Sequence, residues 1–115
     1  MDPNKDNTEK IRELQLIDQN LQSLSLQKQA FQMEINESEN ALSELNKKDN
    51  DEVFKVIGSI MIKSDKKNII EDLDKKLNLL NLRMKTMEKQ EKEFTEKAEN
   101  LREEITKEMQ TEKSK

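Results

Sequence analysis

Two runs of apolar residues, spaced alternately three and four apart, fill most of this chain, and neither is broken by glycine or proline. The first comprises Leu14, Ile17, Leu21, Leu24, Lys28, Phe31, Ile35, Ser38, Leu42 and Leu45, eight of ten apolar. The second comprises Ile70, Leu73, Leu77, Leu80, Met84, Met87, Glu91, Phe94, Ala98, Leu101, Ile105 and Glu108, ten of twelve apolar. In a chain that is 31% hydrophobic, chance would fill only about seven of those positions. This spacing lines one stripe of a helix and forms the seam of a coiled coil. At about 1.5 Å per residue the two helices are expected to measure roughly 60 and 70 Å.

Composition removes the other options. The 115 residues allow one domain, but 40% are charged, and three Phe with no Trp or Tyr leave too little apolar area for a compact core. Such a chain is either disordered or an extended rod that needs only a narrow apolar stripe, and the seam decides for the rod.

Between the runs, NKKDNDE (Asn46 to Glu52) has loop chemistry. EVFKVIGSIMIK (Glu52 to Lys63) follows, with seven apolar residues and the only glycine, Gly58. Val53–Ile57 and Ile60–Lys63 are β-prone runs flanking Gly58-Ser59, which reads as a β-hairpin because glycine accepts the positive φ of a two-residue turn. Ser64 or Asp65 then caps the second helix. If the helices fold back on each other, seam partners sum to 115: Leu14 with Leu101, Leu21 with Phe94, Phe31 with Met84, Leu42 with Leu73. Sums of 108 or 122 share the same phase, but 115 centres the bend near Gly58. Lys28 and Glu91 interrupt the seam in neighbouring layers and are expected to pair with each other.

The fold class is therefore mainly α: a long antiparallel two-helix coiled coil with one β-hairpin at its bend. Residues 1–7, with the only proline, read as a disordered tail, and Asp6 to Glu9 as a loose capping box. Helix 1 is expected over 8–46, the loop and oligomerising hairpin over 47–64, helix 2 over 65–111 and a short tail over 112–115.

With neither His nor Cys, acid–base, thiol and metal roles would fall on Asp, Glu, Lys and Ser, which need a pocket to shift their pKa values, and a two-helix rod offers none. Glu91-Glu93, Glu103-Glu104 and Asp49-Asp51-Glu52 are ordinary rod and loop acids, and the last lacks the glycine turn of a calcium loop. No Gly-rich phosphate cradle is present. No enzyme activity, cofactor or metal is expected. A net charge of −4, with lysine pairs scattered among acids, argues against nucleic acid. The longest nearly apolar run, Val56 to Ile62, falls far short of the roughly 20 residues of a membrane helix, and MDPNKDNTEK has no signal-peptide core. A cytoplasmic protein with no membrane partner is expected.

Two surfaces remain. The hairpin carries apolar residues on both faces and has two unpaired edges, so Val53, Phe54, Val56, Ile57, Gly58, Ile60, Met61 and Ile62 are expected to assemble with other subunits' hairpins into a barrel. The competing reading tucks the hairpin onto its own helices beneath Leu79 and Leu82. At the far ends of the helices, Ile11, Leu14, Leu16 and Ile17 meet Leu101, Ile105 and Met109. An apolar patch on a fraying helix end can hold unfolded chains, whereas the plainer reading has these residues zip the end closed. Met84 and Met87 belong to the seam; Met109, near the end, is the methionine best placed to bind a partner. A structural coiled-coil scaffold or tether is the alternative function, and it has no use for the hairpin.

The run LSLQKQAFQMEINESENALSEL (Leu24 to Leu45), the Val53-Phe54-Lys55-Val56-Ile57-Gly58 stretch and the capped helix DKKNIIEDLDKKL together resemble the prefoldin family, β type. The likeness covers about residues 10 to 110. It is most specific from 24 to 80, through Gln27-Lys28-Gln29, Ala41-Leu42, Phe54-Lys55 and Gly58. One hairpin rather than two resembles the β type, and Phe54 departs from the Tyr often found there. The resemblance implies an archaeal-type subunit of a hexamer of two α-type and four β-type chains, with the hairpins forming a double β-barrel platform that carries six coiled-coil arms. It further implies an ATP-independent chaperone, or holdase, whose arm tips capture non-native client proteins and deliver them to a group II chaperonin.

Overall fold

The structure, a computed structural model, describes residues 3–47, 49 and 52–113, with their side chains from residue 7 to residue 111. The elements run α1 (Pro3–Lys47), β1 (Glu52–Ile57), β2 (Ile60–Asp65) and α2 (Lys66–Lys113), so two long antiparallel helices have a β-hairpin between them. α1 starts at Pro3 rather than at residue 8. Proline suits a first helical turn, where its missing N–H costs no bond and its fixed φ is already helical. Asp6 thus lies inside the helix instead of capping it, and its side chain is outside the described ones. Lys48, Asn50 and Asp51 of the expected loop, and Ser114 and Lys115 of the expected tail, also lie outside the described residues. Asp65 ends β2 immediately before α2, and its carboxylate accepts a hydrogen bond from the Asn68 side-chain amide at 3.4 Å.

The chain forms two compact units. The terminal unit joins Met1–Lys28 to Thr86–Lys115. Its core is Ile17, Ala98 and Leu101, against which Leu14, Leu21 and Phe94 pack, as the 115-sum register requires. Ala98 is 1% exposed, the lowest of these core residues, and its methyl side chain suits a closely packed site. Leu24 and Met87 are buried as well. Ion pairs flank this core: Glu13 with Lys97 at 3.0 Å, Asp18 with Arg102 at 3.4 Å, and Lys28 with Glu91 at 3.4 Å. Lys10, near the start of α1, pairs with Glu104 and Glu108, whereas Lys28 pairs with Glu91, so across the unit rising numbers on α1 meet falling numbers on α2, the antiparallel arrangement. The Lys28–Glu91 pair joins the two seam residues expected to find each other.

The hairpin unit spans Gln29–Lys85. Its buried seam residues are Ile35, Ser38, Leu80 and Met84. β1 and β2 pair antiparallel from Glu52↔Asp65 to Ile57↔Ile60, leaving a two-residue turn. Gly58 has φ +60°, and no other described residue has positive φ. Positive φ at the first turn position alone marks a type II′ turn, whose twist suits adjoining strands.

Candidate functional site

Side-chain alternation sorts the hairpin into two faces, since residues directly opposite share a face. Val53, Lys55, Ile57, Ile60, Ile62 and Ser64 lie on one; Glu52, Phe54, Val56, Met61, Lys63 and Asp65 lie on the other. Lys63 reaches diagonally to Glu52 at 2.9 Å on the second face. Of the residues expected to drive assembly, only Val53 is buried. Phe54, Val56, Ile57, Ile60, Met61 and Ile62 are all 47–66% exposed, so both faces present apolar surface. Leu79 and Leu82 are themselves 50% and 63% exposed, so they do not cap the hairpin, and the tucked arrangement is not adopted. Each strand pairs only with the other, leaving one open edge on each. Beside β1, an open cleft runs between the end of α1 and the start of α2. Ala41, Leu45, Ile69 and Leu73 supply the helical part of its apolar lining and Val53, Phe54 and Val56 the strand part, with acids and lysines around them. Sequence reading missed this cleft, because the seam residues alone do not reveal what lies beside them.

The residues expected to bind clients fall into three groups in the terminal unit. Ile17 and Leu101 are core residues, 3% and 8% exposed, and present no surface while the helices stay paired. Leu14 and Ile105 are half-buried. Ile11, Leu16 and Met109 are exposed. Ile11 and Met109 lie one heptad beyond Asp18 and Arg102 respectively, which the ion pair brings together across the helices. They therefore occupy facing positions on one flank, and Leu16 lies on the other. The patch inferred from sequence is thus not one surface but a flank centred on Ile11 and Met109.

Sequence reading also missed Lys10. Its ammonium lies 3.5 Å from the Glu104 carboxylate and donates to Glu108. That hydrogen bond, reinforced by the charges of Glu108 and Glu104, holds the Lys10 pKa above its usual value of 10.5 against a smaller opposing effect of desolvation. The signal was present: carrying the seam back from Leu14 places Lys10 and Asn7 on it, just as Glu108 continues it on α2.

Among the described residues no group of three or more His, Cys, Asp or Glu is placed to hold a metal ion. No helix among them is long and apolar enough to cross a membrane. The arrangement offers contact surfaces rather than reactive groups.

Several known proteins share this pattern. A sequence profile described as "Prefoldin subunit" matches residues 8–112. The prefoldin subunit beta of Thermoplasma acidophilum is 33% identical over 93 residues, covering 79% of this chain and 75% of the relative. That of Pyrobaculum islandicum is 37% identical over 90 residues, covering 77% and 72%. The crystal structure of the prefoldin beta subunit from Thermococcus strain KS-1 superposes with a TM-score of 0.81 at 30% identity, covering 89% of this chain and 90% of that one. The paired heptad helices, the single hairpin at their bend and these likenesses over most of the chain give one conclusion: it belongs to the prefoldin family, as a β-type subunit of a non-enzymatic chaperone.

Proposed function

We propose that the chain serves in the cytoplasm as one of four β-type subunits joined with two α-type subunits. In this reading its hairpin unit builds the β-barrel platform, and its terminal unit holds non-native proteins without nucleotide and passes them to a group II chaperonin. No cofactor, nucleic acid or membrane takes part. The observation that carries the proposal is the uncovered hairpin. Two strands with apolar residues on both faces and open edges are marginal alone in water, and strands from other subunits would satisfy both the edges and the faces. Val53, already covered, would anchor the hairpin to its own chain, and the exposed six would face neighbours. Support for client holding comes from Ile11 and Met109, which are exposed on one flank beside half-buried Leu14 and Ile105. A plain coiled-coil tether needs neither surface.

The test is aggregation of a chemically unfolded protein, followed by light scattering, with this chain alone, with its α-type partner alone and with both. Suppression by the assembled pair is the expected result, together with a solution mass far above that of a single chain. Unhindered aggregation in the presence of the assembled complex, or a chain that stays monomeric beside its partner, counts against the proposal.

A further inference from the structure

The terminal unit is closed at its end by a different force from the one that closes its length. Along Leu14, Ile17, Phe94, Ala98 and Leu101 the seam is apolar and packed. Beyond Leu14 the next seam positions on α1 are Lys10 and Asn7, and beyond Ile105 the next on α2 is Glu108; all three are half-buried. The Asn7 carbonyl oxygen Oδ1 is buried and finds no hydrogen-bond donor among the described residues, a cost that weakens the closed end. The groups that do hold the helices together there are ionic: Lys10 donates to Glu108 and lies within ion-pair distance of Glu104. Its side chain is 26% exposed and those of Glu104 and Glu108 are 56% and 38% exposed, so dissolved ions reach the site. Such pairs are weakened by salt, whereas apolar packing is not.

The apolar flank lies beside this closure. Ile11 and Met109 are 41% and 53% exposed, and more of half-buried Leu14 and Ile105 becomes available as the helix ends part. We propose that Lys10, bridging Glu104 and Glu108, is a salt-sensitive clasp that sets how much of Leu14 and Ile105 joins Ile11 and Met109 as binding surface. This rests on the chaperone reading above and specifies how its client site is regulated. At low ionic strength the clasp keeps the flank narrow; as salt rises the ends part and the apolar surface widens.

The test uses the full-length chain assembled with its α-type partner, and compares the wild type with Lys10→Met, which keeps side-chain length and removes the charge. Glu108→Gln removes the other partner, and Glu13→Gln breaks an ion pair that lies off the seam. Amide exchange at residues 8–14 and 101–108 is measured without client at about 0.01 M and about 1 M NaCl, between which the Debye length shrinks from about 30 Å to about 3 Å. Wild-type exchange at these amides should quicken roughly two- to five-fold with salt. Lys10→Met and Glu108→Gln should exchange faster at low salt and lose most of that response, while Glu13→Gln retains it. Wild-type exchange that is indifferent to salt overturns the proposal, as does a Lys10→Met chain that responds like the wild type. Because exchange is read without client, a failed clasp is told apart from a failed chaperone reading, which would show as unsuppressed aggregation by wild type and variant alike.

Discussion

The terminal unit and the hairpin unit draw on the same two helices yet treat apolar side chains in opposite ways. In the terminal unit, Ile17, Ala98 and Leu101 close against each other, and ion pairs such as Asp18–Arg102 and Glu13–Lys97 line the flanks. In the hairpin unit, six apolar strand residues remain open to water although buried Ile35, Leu80 and Met84 lie in the same unit. The difference follows from geometry. A helix presents its apolar residues on one stripe, which a single partner helix can cover. A strand alternates its side chains between two faces, and two helices at one end cannot cover both. The first unit covers its central seam with its own residues; the second leaves its strand residues uncovered.

Three experiments press on that contrast. The largest effect is expected from Ile57→Asp combined with Ile60→Asp, a cross-strand pair beside the turn. Charges there should abolish assembly with the α-type partner, read as loss of the high-mass species in sedimentation, and leave helical circular dichroism nearly unchanged. Retained assembly would erase the distinction between the units. Next comes a comparison inside the terminal unit. Ile17→Ala should cost about 2–5 kcal/mol in denaturant unfolding because it empties a packed site, whereas Leu16→Ala, one residue away and 60% exposed, should cost under about 0.5 kcal/mol. Equal losses would mean that the seam register is wrong. The smallest effect tests whether the ionic pair on the seam fixes register at a cost in strength: replacing Lys28 and Glu91 together with Leu should raise stability by about 1 kcal/mol. A fall in melting temperature would refute it.

Much of this was legible because heptad spacing is a strong signal over long runs. Every seam position from Leu14 to Leu45 and from Ile70 to Glu108 is buried or half-buried, and the hairpin turns at Gly58-Ser59 as the β-prone runs on either side require. The start of α1 was not legible, because Asn4, Lys5 and Asp6 carry no apolar period and the proline reads equally as a tail or as a first turn. Ile17 and Leu101 show the limit for the binding surface: apolar character marks them as candidates, but only the packed register assigns them to the core rather than to the flank. Lys10 was passed over for the opposite reason, since a charged residue is normally read as solvated, and its seam position gains meaning only once Glu104 and Glu108 are seen across from it.

The turn at Gly58 imposes one more condition. A side-chain carbon placed there would meet nothing within 4 Å, yet the backbone sits at φ +60°. The position therefore selects for handedness and not for size. Alanine, which the space would admit, should still cost about 1–3 kcal/mol in denaturant unfolding, because the first position of a type II′ turn is one that glycine takes without strain and an L side chain does not.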